Sequence, residues 1–481
     1  MSVKCKLHFK KVTPPVQLSA LTQIVSRRKL PSVLGGNDSC SFSVWACEPV
    51  EVFEFTAEQA APLDKLDAVL KKYSLDCTPP KLPAGIFCGG WIGYFGYELG
   101  RFIENIPAAA IDDLDMPIIR LAFYDAAIVY DHSEKVWFII ALEINADDIN
   151  AKFDRLESLL SVAQAVSMPD IPEGDIEAVR PDDINRNMTK ERYLSSIEKT
   201  RRYIYDGEVY QINFSHRFEC EYSANPVDLY HWQNKFNPSP YAAYIDFDRF
   251  AIVSASPELF ITINDGVIST KPIKGTRPRL VEGKDAERIN RINFRQLIES
   301  EKDQAELNMI IDLERNDLTR ICEYGTIKVT QPRTIERFAT VYHAVATIEG
   351  RLRKGVTFSD CLRAMFPGGS ITGAPKIRSM EIIDELEPAC RGVYTGSIGF
   401  IGIDGSSCLN IAIRTVIIKD GTAFAQSGGG IVADSDPQAE WDETITKARA
   451  LIAGIYSVRR SAYSVQYGER NKEDERENKK L

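Results

Sequence analysis

Histidine is scarce, with five in 481 residues, and none of the ten cysteines stands in a Cys-x-x-Cys pair. That excludes a His-rich or thiolate metal site, and scattered thiols suit a reduced, cytoplasmic chain better than a disulfide framework. No stretch reaches the roughly 18 consecutive apolar residues of a membrane span. The first eleven residues carry charges but no apolar core of a secretory signal. Basic runs are missing too. Fifty-eight Lys and Arg against 68 Asp and Glu leave a net charge of −10, which argues against nucleic acid as a partner, since phosphate binding needs a basic surface. A small anionic substrate stays allowed, because it feels only the field of its own pocket.

What is present is ordinary globular composition, 44% hydrophobic and 26% charged, enough for a large core. Residues 1–165 alternate β-like runs (50–55, 126–130) with helical pieces (63–73). Residues 166–185, with two prolines, a glycine and repeated acids around Met168-Pro-Asp-Ile-Pro-Glu-Gly-Asp175, form the expected linker to a second region, 186–468. Asp265-Gly266, Asp404-Gly405 and Asp420-Gly421 each sit between apolar β-branched runs and predict hairpins. The expected class is α+β with mainly antiparallel sheets. Residues 469–481 are nearly all charged and are expected to be disordered.

Two predicted helices carry acidic pairs. In Asp436-Pro-Gln-Ala-Glu440-Trp-Asp-Glu443, Asp436 and Pro437 form a good helix start. Trp441, Ile445, Ala448 and Ile452 then share one stripe, and Glu440, Glu443 and Lys447 another. Asp303 and Glu306 are likewise three apart, away from a stripe of Ile298, Ala305, Met309 and Leu313. Either pair alone reads as solvated surface, with a Glu443–Lys447 contact at i,i+4. Both together could offer oxygen ligands to a hard cation such as Mg²⁺. Arg414, on the apolar face of a strand read over residues 409–418, needs a partner: a substrate carboxylate or an internal acid. Glu258 is a lone acid in apolar company, a candidate general acid. Lys274 precedes a glycine turn and taken alone reads as a strand-end lysine. Glycine clusters at 367–376 and 428–430 match neither a P-loop nor a complete dinucleotide-binding unit, but can turn backbone N–H groups towards an anion.

Four motifs occur in one order: Pro272-Ile-Lys-Gly-Thr-Arg-Pro-Arg279, Asp312-Leu-Glu-Arg-Asn-Asp317-Leu, Pro367-Gly-Gly-Ser-Ile-Thr-Gly-Ala-Pro-Lys376 and Gly429-Gly-Ile-Val-Ala-Asp-Ser-Asp-Pro437. Together they resemble the chorismate-binding enzymes, a family that includes anthranilate synthase component I, aminodeoxychorismate synthase component I, and isochorismate and salicylate synthases. The resemblance runs from about Thr189 to Ala453, and Gly89-Gly-Trp-Ile-Gly-Tyr-Phe-Gly-Tyr-Glu-Leu-Gly100 extends it towards the N-terminus. It implies a large α/β sandwich of two mainly antiparallel sheets flanked by helices, with the two halves of the chain interleaved.

The resemblance also implies roles. Asp303, Glu306, Glu440 and Glu443 match positions that hold Mg²⁺ against the ring carboxylate of chorismate. Arg414, Tyr394, Thr276, Lys447 and Gly428, Gly429 and Gly430 match substrate-binding positions. His343 matches a histidine beside the ring, and Glu258 the acid that protonates the departing C4 hydroxyl. At Gln211 the water-adding relatives carry a lysine base, so glutamine favours an ammonia user. At Lys274 anthranilate and isochorismate synthases usually carry alanine. Lysine there is similar to the aminodeoxychorismate synthases, where it attacks C2 covalently on the route to para-aminobenzoate and folate. Such a lysine must be depressed by burial or by cations such as Arg277 or Arg279. No cysteine has a glutaminase context, so ammonia would come from a separate glutamine amidotransferase subunit. The alternatives are an anthranilate synthase large subunit and a non-catalytic regulatory homologue.

Overall fold

The computed structural model describes residues 2–76, 82–168, 170–171, 184–281, 283–338 and 341–478, with residues 460–478 described by backbone alone. Its frame is two sheets, one of 13 and one of 10 strands. Among the described residues all strand pairs are antiparallel except Val3–Val12 with Tyr73–Leu75. The expected α+β sandwich is therefore the fold.

Side-chain alternation places the first sheet in the middle. On strand Ala126–Asp131, Ala127 and Val129 join the core shared with the second sheet, while Ala126 and Ile128 join the core beneath the outer helices. Phe138, Ile140 and Leu142 alternate in the same way with Trp137, Ile139 and Ala141 on strand Val136–Ile144. A strand buried on both faces reads as a continuous apolar run, because period-2 alternation then separates two cores rather than core from solvent. Each of the larger aliphatic and phenylalanine side chains contributes about 1.5–3 kcal/mol of burial.

Both sheets draw on both halves of the sequence. Ser32–Leu34 pairs with Tyr241–Asp246 in the first sheet, and Gly90–Phe95 pairs with Ser397–Gly402 in the second. The boundary expected at 166–185 therefore marks no break in either sheet, and residues 172–183 of that linker lie outside the described residues. The motif glycines explain one close pairing. A Cβ on Gly93 would lie 2.0 Å from the Arg120 carbonyl oxygen on the neighbouring strand.

Two hairpins close as predicted. Asn264 faces Val267 across Asp265-Gly266, and Lys419 faces Thr422 across Asp420-Gly421, all four turn residues having positive φ. That is the type I′ geometry favoured by an Asp-Gly pair. The Asp404-Gly405 loop is longer, joining Ser397–Gly402 to Ser407–Asn410.

Two expectations need correction. The stripe from Ile298 to Leu313 is not the buried face: Ser300 separates helix Ala286–Glu299 from helix Glu301–Thr319, and Ile298 is exposed. The second helix buries Leu307, Ile310, Ile311 and Leu318 together with two acids, Glu314 and Asp317. Charges on the inner face hid it from a search for apolar periodicity. The strand read over 409–418 is also broken, as described below. The last helix spans Pro437–Asn478 and includes most of the charged stretch from Glu469. That stretch is rich in Glu, Lys and Arg and lacks proline, so nothing in it stops a helix already nucleated. Among the described residues no helix is long and apolar enough to cross a membrane, and the nine described cysteines are unpaired.

Candidate active site

Two of the chain's passages between the sheets lie side by side. Phe250–Ser256 belongs to the first sheet and Leu259–Asn264 to the second, with Glu258 at the step between them. Ser407–Asn410 lies in the second sheet and Thr415–Lys419 in the first, so residues 411–414 make the return step. The Ile411 N–H donates to the Glu258 carbonyl at 3.0 Å, and the Ser256 hydroxyl donates to the Ile411 carbonyl at 2.6 Å. Arg414 thus ends a crossover, with φ of +52°, rather than lying on a strand face. The two steps bring an acid and a guanidinium into the cleft between the sheets.

Lys274 enters the same cleft through a bulge. On strand Ile273–Pro278 the register to Val341–Arg351 shifts between Ile273 and Thr276, and Gly275 has φ of +90°. A bulge re-aims a side chain that regular pleating would send elsewhere. The Lys274 Nζ donates to the Ser370 carbonyl at 3.0 Å. Burial lowers its pKa from the ordinary lysine range, with Lys447 assisting and Glu306, Glu258 and Glu443 opposing. Neither Arg277 nor Arg279 is the cation responsible: Arg277 pairs with Asp303 at 2.8 Å and Arg279 donates to the Phe338 carbonyl.

Glu258 is 4% exposed and accepts from the Ile273 N–H at 3.2 Å. Burial raises its carboxyl pKa, opposed by a hydrogen bond from the Ser370 side chain, by that N–H and by Lys274. Ser370 thus stands between the two groups, bonded to Lys274 through its carbonyl and with its side chain beside Glu258. Sequence reading missed it because a serine in a glycine-rich loop has no pattern of its own.

Thr276 faces His343 across the strand pair, its hydroxyl 2.8 Å from Nδ1. Burial, with Arg414 adding, takes the imidazole pKa down to about 3, so the ring is neutral at pH 7. Burial also lowers the pKa of Arg414, with Tyr394 opposing. Among the described residues no carboxylate pairs with the Arg414 guanidinium. Tyr394 is buried beside Arg391, whose guanidinium lies over its ring.

Gly428, Gly429 and Gly430 lie on strand Thr422–Ile431, opposite Ser215, Phe214 and Asn213. A Cβ on Gly429 would meet the carboxylates of Glu440 and Glu443, at 3.0 and 3.8 Å, and one on Gly430 would lie 2.1 Å from Gln211 Nε2. The glycines let helix Pro437–Asn478 bring its acids down onto the strand. Gln211 is 2% exposed, and its Oε1 has no hydrogen-bond partner among the described residues.

The expected helix start is real: the Ala439 N–H donates to Asp436 at 2.8 Å, and Trp441, Ile445, Ala448 and Ile452 are buried. Lys447 pairs with Glu443 at 2.6 Å and donates to the Gly428 carbonyl at 3.0 Å. Glu440 is buried and accepts from the Ser435 hydroxyl at 2.6 Å. Burial and the neighbouring Glu443 raise its pKa. Glu306 is raised by burial too, with Asp303 and Glu443 adding and Lys274 and Lys302 opposing. Glu443 adds to the negative field at both Glu306 and Glu440 although it is paired with Lys447, and Asp303 adds to it at Glu306 although it is paired with Arg277. Among the described residues no three His, Cys, Asp or Glu side chains stand close enough to enclose a metal ion.

Known proteins resemble the chain over most of its length. The model of the family described as chorismate binding enzyme matches residues 31–453. Anthranilate synthase component 1 of Pseudomonas aeruginosa is 39% identical over 404 residues, 82% of this chain and 80% of that one. Aminodeoxychorismate synthase component 1 of Escherichia coli is 38% identical over 416 residues, 86% and 87% of the two chains. The solved anthranilate synthase component I from Streptococcus pneumoniae superposes with a TM-score of 0.74 at 32% identity, covering 86% of this chain and 92% of that one. With a match across most of its length and relatives at this identity, the chain belongs to the chorismate-binding enzymes.

Proposed function

We propose that the chain replaces the C4 hydroxyl of chorismate with an amino group, giving 4-amino-4-deoxychorismate and water. The ammonia would be delivered by a separate glutamine amidotransferase subunit. The observation that carries this reading is the meeting of Lys274 and Glu258 at Ser370: an amine whose pKa is lowered beside an acid whose pKa is raised. A nucleophile and a general acid need those directions of shift. The neutral Nζ attacks C2, the ring diene shifts, and the C4–O bond breaks as Glu258 gives its proton to the leaving hydroxyl. Ammonia then bonds to C4, the diene shifts back, and the C2–Nζ bond breaks. The extra proton on the new amine returns to Glu258, restoring both groups. This double displacement leaves nitrogen para to the ring carboxylate.

Arg414, lacking an acidic partner among the described residues, suits a substrate carboxylate, with Tyr394, Thr276, Lys447 and the backbone of Gly428–430 around it. Gln211 cannot act as the base that a water-adding relative needs. A divalent cation would be held by Glu306, Glu440 and Glu443, which do not enclose it by themselves, and would relieve the repulsion that Glu443 exerts on the other two, while Asp303 is paired with Arg277. Mg²⁺ is compatible with an open set, because it keeps waters and binds few carboxylates. When bound it would neutralise the ring carboxylate.

Anthranilate synthase relatives are about equally similar, and that second reading places ammonia directly on C2. The deciding experiment supplies the purified chain with chorismate, Mg²⁺ and either ammonium or glutamine. 4-Amino-4-deoxychorismate from ammonium, and none from glutamine, is expected. Anthranilate would overturn the reaction assigned, and product from glutamine would overturn the separate partner.

A further inference from the structure

We propose that Glu314 is a positioning residue for both reactive groups, acting through the loop of residues 368–371. The acid lies on the inner face of helix Glu301–Thr319, 3% exposed. Its Oε1 accepts from the Gly369 N–H at 3.1 Å. Ser370, the next residue, accepts from Lys274 through its carbonyl and sets its side chain beside Glu258. Two adjoining residues of one loop therefore link Glu314 to the nucleophile, with the acid alongside. The loop also lies hard against the helix: a Cβ on Gly369 would sit 2.5 Å from Leu313 Cδ2 and 3.1 Å from Glu314 Oε1.

A packing role alone does not account for an acid here. The other oxygen, Oε2, is buried without a hydrogen-bond partner among the described residues, and such a group works against the fold. The groups facing Glu314 are Lys376 and Gly369 of the loop and following helix, Asp317 on its own helix, and Glu258. Lys376 is already bonded to Asp317 and to the Met365 carbonyl. Burial pushes the Glu314 carboxyl up, with Asp317 and Glu258 adding and Lys376 opposing. Both the ionised and the protonated carboxyl can accept from Gly369, so the feature the loop needs is the acceptor and not the charge.

That distinction sets the test, made on the full-length chain with Glu314→Gln, Glu314→Ala and Gly369→Ala. Chorismate consumption gives kcat and KM whatever the product. Competitive acetylation of Lys274 by acetic anhydride across pH, read by peptide mass, reports its reactivity without turnover. Glu314→Gln keeps the acceptor and should stay within about threefold of wild type in kcat. Glu314→Ala and Gly369→Ala should lose at least about tenfold in kcat, equivalent to ~1.4 kcal/mol on the barrier, with KM little changed. In both, the Lys274 labelling profile should move towards that of an ordinary lysine. The proposal rests on the reading that Lys274 and Glu258 act on chorismate, but the labelling arm is independent of it. A labelling shift without chorismate turnover would sink that reading and leave the positioning role standing. Should Glu314→Ala not fold, Gly369→Ala displaces the loop with the acid intact. A wild-type kcat and labelling profile in the folded alanine variants would overturn the role of Glu314, as would a Gln variant as impaired as Ala.

Discussion

Arg414 invites a crossed prediction, because a substrate-binding arginine and a structural one respond oppositely to removal. Arg414→Met keeps most of the side-chain volume and, both residues having a Cβ, leaves the cost of φ +52° unchanged. If the guanidinium awaits a substrate carboxylate, its loss removes a charge-assisted contact of about 1.5–3 kcal/mol, and chorismate KM should rise roughly tenfold to a hundredfold. Stability without substrate should hold or improve, since burial disfavours this cation in the folded chain and no described acid repays it. Steady-state kinetics with a thermal melt of the ligand-free chain reads both. A variant that melts far below wild type while keeping its KM would refute the reasoning, because Arg414 would then serve an internal partner.

The proposed reaction needs neutral Lys274 and protonated Glu258. The lowered lysine pKa therefore carries the acidic limb of the rate profile below that of an ordinary lysine, and the raised glutamate pKa carries the alkaline limb upward. In Glu258→Gln the alkaline limb should vanish from the residual rate, and an unchanged limb would assign it to another group. Chelation should abolish turnover and added Mg²⁺ restore it, with Glu440→Gln raising the Mg²⁺ requirement; full activity in excess EDTA would rule the metal out. Gly93→Ala should cost at least about 1–3 kcal/mol, because its Cβ would strike a strand backbone 2.0 Å away. Wild-type melting of that variant would show that the two strands separate freely.

The candidate site residues were more legible in the sequence than the path that assembles them. Asp265-Gly266 and Asp420-Gly421 announced their hairpins because the turn type needs positive φ at both positions, a local demand. Glu258 stood out because an acid in an apolar run is rare. Arg414 was placed on a continuous strand, since residues 409–418 are apolar on both sides of a step between sheets and periodicity does not register which sheet a residue joins. Helix Glu301–Thr319 misled for the opposite reason: its inner face carries Glu314 and Asp317, so the buried side does not read as apolar. Ser370 contributes a carbonyl, which any residue type supplies, and only the folded loop reveals it.

The central claim is that Lys274 bonds to C2 of the substrate ring. Wild-type chain given chorismate and Mg²⁺ without an ammonia source should yield a fraction carrying the dehydrated ring on Lys274, located by intact-mass and peptide analysis. The decisive comparison is Lys274→Ala supplied with ammonium: the account predicts no adduct and loss of 4-amino-4-deoxychorismate formation. A Lys274→Ala chain that makes 4-amino-4-deoxychorismate at the wild-type rate would contradict it.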